Sequence, residues 1–137
     1  MKLPAIIMLD TNIASYAMRG QHPALNAHLQ QVPLNRLCIS VISEGELRYG
    51  LALKPDMKPL NADVTAFLSR VDSLPWDSDA AEIYGPLRAA LRKAGTPLGS
   101  LDELIAAHAL AVGATLVTND KAFRHVVGLK TVDWTKP

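Results

Sequence analysis

The chain of 137 residues reads as an α/β protein, a three-layer α/β/α sandwich around a central, mostly parallel sheet. Three observations lead there. Short apolar, β-rich runs alternate with stretches of helical period, the pattern produced by parallel strands with crossover helices. Two of the runs, "AIIML" and "TLVT", have no polar face, as expected for strands covered by helices on both sides. The length suits one compact domain over residues 1–137, able to bury roughly two-thirds of the surface its unfolded form exposes.

The elements follow in order. "AIIML" is the first strand, and two helical stretches follow it. Pro23 starts the second of these, because its fixed φ and missing N–H suit a first helical turn. "LCIS" is the second strand, again followed by two helices. "LPW" is read as the third strand, before a long helix running to about Lys93, for which Asp79 and Glu82 read as a capping box. The helix "LDELIAAHALAV" ends at Gly113, where a C-cap is wanted, and "TLVT" and "KTVDW" supply the last two strands. The loops "KPDMKP" and "KAGTPLGS" are neither long nor polar enough to separate domains, and no repeat or low-complexity tract interrupts the pattern.

Composition narrows the setting. The 14 Lys and Arg nearly balance the 13 Asp and Glu, so any nucleic-acid contact must come from a local basic patch. Cys38 is alone, which rules out a disulfide within the chain and fits a reducing compartment; within "RLCIS" it reads as core. No signal peptide is recognisable, and no apolar run approaches the roughly 18 residues that span a bilayer. The expectation is a soluble, cytoplasmic protein that does not enter a membrane.

In an open α/β sheet the crevice lies at the carboxyl ends of the strands. "AIIML" runs into Asp10-Thr11-Asn12, "LCIS" into a helix carrying Glu44 and Glu46, and "TLVT" into Asn119-Asp120, while Asp102 opens a helix. With regular crossovers these acids share one edge of the sheet. Two carboxylates about 4 Å apart repel by roughly 4 kcal/mol at an effective dielectric near 20, so three or four demand a proton or a cation. All-oxygen coordination suits Mg²⁺ or Mn²⁺, and without Cys or His clusters at ligand spacing a structural zinc site has no support. Such an ion can activate water and stabilise charge during attack on a phosphodiester, which is nuclease chemistry.

Each acid also has a plainer role. Asp10 and Asp120 suit the N-caps of the segments that follow them. On a helical wheel Asp102 borders the apolar stripe beside Ala106 and Ala109, Glu103 points to water, and His108 is a packed core histidine. Glu44 has Arg48 four residues on and reads as a surface ion pair, which leaves Glu46 as the ligand. Thr11, Ser40 and Thr118 sit at strand ends, where their hydroxyls can orient a carboxylate or simply cap a turn.

Together, "MLDTNI", "ISVISEGELRYG", "GTPLGSLDELIAAHALAVGATLVTNDKAF" and "GLKTVDW" resemble PIN-domain ribonucleases, and more narrowly the VapC toxins of type II toxin–antitoxin pairs. The resemblance covers nearly the whole chain. It implies a PIN-like α/β/α domain whose acids Asp10, Glu46, Asp102 and Asp120 hold Mg²⁺ or Mn²⁺ and hydrolyse RNA, with Asn12 and Thr118 around the metal. Many relatives carry Asn in place of the last acid, which makes Asp120 the least essential ligand. The resemblance also implies a homodimer, a VapB-type antitoxin whose tail crosses the acidic groove, and a tRNA substrate, the initiator tRNA anticodon region among the possibilities. Arg19, Arg48, Arg88, Arg92, Lys93, Lys121 and Arg124 are candidates for RNA phosphate contacts, against the alternative of a solvated charged face. Two other readings compete: a receiver-like phosphoacceptor, which would want paired acids beside the first strand, and a non-catalytic binding module on the same scaffold.

Overall fold

The computed structural model describes residues 5–137; the first four residues of the expected 1–137 domain lie outside them. Five strands, β1 (Ile7–Leu9), β2 (Leu37–Ser40), β3 (Asp72–Leu74), β4 (Thr115–Val117) and β5 (Thr131–Val132), form one sheet in the order β3-β2-β1-β4-β5. Every neighbouring pair is parallel. The helices are α1 (Thr11–Arg19), α2 (Pro23–Gln30), α3 (Val41–Leu53), α4 (Lys58–Arg70), α5 (Ser78–Lys93) and α6 (Ser100–Val112). The three-layer α/β architecture expected from the sequence is the one observed.

Strand pleating explains why unbroken apolar runs were needed. Leu9, Ile39 and Val117 stand side by side in register and point into one core with Ile13, Leu25, Leu47 and Val64 from α1 to α4. Their neighbours Met8, Cys38 and Leu116 point the other way, against Leu91, Ile105, Ala106 and Ala109 of α5 and α6. Successive side chains on a strand alternate faces, so a strand packed on both sides has no room for a polar position. Cys38 is buried and unpaired, as expected, and burial pushes its thiol up to about 12.

Two expectations about boundaries need correction. The third strand is Asp72–Leu74 rather than "LPW", because Pro75 has no N–H for the ladder and ends the pairing. The cap of α5 is Asp77, whose side chain accepts from the Ala80 N–H at 3.3 Å; Asp79 lies inside the first turn and the Asp79–Glu82 box does not form. Pro23 at the start of α2 and Gly113 at the C-cap of α6, with φ 69°, stand where the sequence put them.

The path of the chain fixes where chemistry can occur. It runs outward from β1 through β2 to β3, then crosses to β4 on the opposite side of β1. The crevice of a doubly wound sheet opens at that reversal, outside the carboxyl ends of the two strands that flank it. Those ends are Asp10 and Thr118-Asn119-Asp120.

Candidate metal centre

Asp10 leaves β1 at the sheet edge and caps α1: its Oδ1 accepts from the Ile13 N–H at 2.9 Å, and its own N–H donates to the Val117 carbonyl at 3.0 Å. The capping role is therefore real, and it leaves Oδ2 for another partner. Asp10 is 3 % exposed. Burial raises its pKa, the Thr118 hydroxyl and the Ile13 N–H pull it down, and the charges of Asp120 and Glu46 raise it again. A buried carboxylate held next to two more lacks the counter-charge that would make its burial favourable.

Glu46 reaches the same place from α3. The Thr11 hydroxyl, one residue beyond Asp10, donates to Glu46 Oε1 at 2.6 Å, and the Ser43 hydroxyl bonds Thr11 Oγ1 at 2.9 Å. Glu44 turns the other way, to a 2.7 Å ion pair with Arg48 on the surface. Asp102 comes from the first turn of α6, beside Gly99, which precedes the helix as its N-cap. Its pKa is pushed up to about 6, first by burial and then by the charges of Asp10, Glu46 and Asp120. Asp120 follows β4 and caps the short 3-10 turn Lys121–His125 by accepting from the Ala122 N–H at 2.9 Å. Four acids from four segments thus share one electrostatic environment. Among the described residues no Lys, Arg or His forms an ion pair with any of them.

The four do not close on one another. Among the described residues, no three Asp, Glu, His or Cys side chains stand together as a ready-made cage for an ion. An open, all-oxygen cluster with room for water is the donor set of a hard dication such as Mg²⁺, which keeps part of its hydration shell.

The supporting hydroxyls separate into two kinds. Thr11 orients Glu46, and Thr118, buried, accepts from the Asp120 N–H at 3.0 Å, while its hydroxyl lowers the Asp10 pKa. Ser40 makes no such contact: it caps α3 through the Ile42 N–H at 3.1 Å and meets His108 Nδ1 at 2.7 Å. Asn12 is exposed on α1 and bonds none of the acids.

A PIN-domain profile matches residues 7–129. The chain belongs to the PIN-domain family, in its VapC branch. It is 39% identical over 130 residues to the tRNA(fMet)-specific endonuclease VapC of Shigella flexneri, covering 93% of this chain and 97% of that one. It is 35% identical over 133 residues to ribonuclease VapC2 of Rickettsia felis, covering 96% and 99%. Among solved structures, DNA-bound VapBC from Salmonella typhimurium matches at a TM-score of 0.88 and 33% identity, over 96% of this chain and 99% of that one. VapBC2 from Rickettsia felis, bound to a DNA fragment from their promoter, matches at 0.87 and 33%, over 94% and 98%.

Against this PIN-domain frame the basic residues sort themselves by position. Arg19 lies in the last turn of α1, roughly 13 Å along the helix from Asp10. Arg48 is taken up by Glu44. Arg92 and Lys93 are exposed in the last turn of α5, without an ion pair among the described residues. Arg88 donates to the Tyr84 hydroxyl at 2.7 Å and stands 3.7 Å from Glu103. Glu103, expected to face water, is in fact 4 % exposed. The helical wheel failed there because α6 is packed by α5 on the side that the apolar stripe leaves polar. Of these candidates, Lys121 and Arg124 adjoin an acid of the cluster, in a cleft lined also by Thr118, Asn119, Asp120, Thr131, Val132 and Asp133. His108 is buried, as expected, and the structure adds its bond to Ser40. That pairing spans 68 residues, and no local signal marks it.

Proposed function

We propose that this PIN-domain chain is an endoribonuclease toxin of the VapC type, which hydrolyses RNA phosphodiester bonds with Mg²⁺ or Mn²⁺ held by Asp10, Glu46, Asp102 and Asp120. The observation that carries the reading is the cluster itself: four carboxylates brought to one crevice, unneutralised by any base among the described residues. A bound dication supplies the missing positive charge, an activated water and stabilisation of the leaving oxygen.

The chain's own part is positional. The Ile13 N–H holds Asp10 through Oδ1, Thr11 steadies Glu46, and the first turn of α6 carries Asp102. Asp120 stays at the exposed rim, capping its own turn, which suits a secondary ligand. A helix N-terminus beneath Asp102 favours its ionised form and opposes the burial that raises it.

We extend to this chain what the relatives' names say of them. The substrate is tRNA, with initiator tRNA the first to test, since the Shigella relative is named for tRNA(fMet). The partner is a VapB-type antitoxin, as in the VapBC complexes, and the toxin acts in the cytoplasm as a homodimer. Among the described residues no helix is long and apolar enough to cross a membrane. A receiver-like phosphoacceptor is less well supported, because the acid beside β1 is single and Asp102 opens a helix instead of ending a strand.

The test is Asp10→Asn with the fold verified by circular dichroism. Cleavage of total tRNA in Mg²⁺ is expected to fall by about a hundredfold or more, as when a group that organises transition-state charge is removed. Undiminished cleavage takes Asp10 out of the reaction.

A further inference from the structure

We propose that the cleft beside Asp120 is a phosphate subsite, in which Lys121 and Arg124 hold an RNA backbone phosphate next to the bond that is cut. The inference rests on the nuclease reading above and adds where the strand lies and which side chains grip it. The edge order of the strands supplies the geometry. Asp10 follows β1, Thr118 follows β4 and Asp133 follows β5, and Asp10 and Thr118 hydrogen-bond across to the neighbouring strand through Val117 and Val132. Adjacent strands lie roughly 4.8 Å apart, so the β5 wall of the cleft is about 10 Å from Asp10. The cleft therefore continues the acidic crevice along the sheet edge toward β5.

Its charges point to an outside anion. Two acids and two bases line it, yet neither Lys121 nor Arg124 pairs with Asp120 or Asp133 among the described residues. Each acid turns one oxygen to its own turn: Asp120 Oδ1 accepts from the Ala122 N–H, and Asp133 Oδ1 accepts from both the Thr135 N–H and the Thr135 hydroxyl, at 2.9 and 2.5 Å. The bases are exposed on the short turn that Asp120 caps, so the residue at the rim of the metal cluster also places them. A guanidinium and an ammonium on one turn match a phosphodiester oxygen pair. Arg19, Arg48 and Arg88 offer no equivalent, being distant or paired.

The experiment is equilibrium binding of total bacterial tRNA, in EDTA so that no cleavage occurs, between 50 and 200 mM salt, for the full chain and for Lys121→Met/Arg124→Met. Each lost phosphate contact lowers the slope of log affinity against log salt by about 0.7, so the double variant should lose about 1.4 and bind roughly ten- to a hundredfold more weakly. Lys121→Arg/Arg124→Lys should restore the slope. Arg70→Met, which removes one charge from the last turn of α4, should leave it unchanged. An unaltered slope in the double variant overturns the subsite, as does a loss in Arg70→Met equal per charge removed, which reduces the effect to overall charge. A wild-type chain that binds with the expected slope but fails to cut tRNA in Mg²⁺ keeps the subsite and removes the nuclease reading.

Discussion

Thr11 Oγ1 lies 2.6 Å from Glu46 Oε1, a bond that ties the first residue of α1 to the second turn of α3 across 35 positions of sequence. Because Thr11 directly follows Asp10, this one hydroxyl fixes the spacing of two of the four acids. Thr11→Val keeps the shape and removes the donor, and should cost about 1.5 to 3 kcal/mol of stability, the range for a hydrogen bond to a charged group. Thr11→Ser should recover most of it. Urea unfolding measures the stability, and the Mn²⁺-induced rise in melting temperature should shrink in the Val variant alone.

The Arg88–Glu103 pair holds the first turn of α6, one residue from Asp102. Arg88→Met leaves a buried carboxylate unpaired and should destabilise the fold by about 2 kcal/mol, discounted from the full cost of a broken buried pair because the Arg88 side chain is 44% exposed. Arg88→Met/Glu103→Gln should regain more than half of that loss, since the stranded charge is gone. A double variant no more stable than the single one would mean that Arg88 acts through packing on Tyr84 instead.

Ser40 and His108 join the strand that leads into α3 to the middle of α6, so their bond spans the two helices that carry Glu46 and Asp102. Burial lowers the His108 pKa, with the Asp77 charge and the Pro75 carbonyl opposing, and its Nδ1 is hydrogen-bonded to the Ser40 hydroxyl. His108→Leu should cost about 2 kcal/mol and weaken cleavage, whereas His108→Asn keeps a hydrogen-bonding group at that position and should retain more activity. Comparing tRNA cleavage rates of the two variants at equal folded fraction checks this.

The pH dependence of the metal-free protein follows from Asp102. Its pKa of about 6 lies above the ordinary 3.8, so between these values the folded chain binds a proton that the unfolded chain has released. The stabilising contribution is complete below about pH 3.8 and is lost as pH rises through 6. Relative to Asp102→Asn, which cannot titrate, the metal-free wild type should lose about 1 kcal/mol over that window, a value reduced for the screening of a half-buried group. Urea unfolding of both proteins in EDTA at pH 4, 5, 6 and 7 tests the sign.

The sequence carried the parts of this account that depend on local pattern. Apolar runs such as "AIIML" and "TLVT" reveal buried strands because both faces of the sheet are covered, and parallel strands bring whatever follows them to one edge, so Asp10 and Asp120 were legible from their positions alone. Glu46 could be told from Glu44 because Arg48 claims the latter at helical spacing. What stayed hidden depends on distant packing. Glu103 is buried because α5 crosses a face that the periodicity of α6 leaves polar, and Ser40 serves His108 because two remote segments meet beneath the site. The strand at Asp72–Leu74 has an exposed first residue, so its alternation is too weak to outweigh the apolar "LPW" beside it.

The central claim is that these acids hold a dication, and calorimetric titration with Mn²⁺ tests it most directly. The wild-type chain should bind Mn²⁺ at the cluster, and Asp10→Asn/Asp102→Asn, folded by circular dichroism, should bind it at least about tenfold more weakly. Equal affinity in the two proteins would contradict the account.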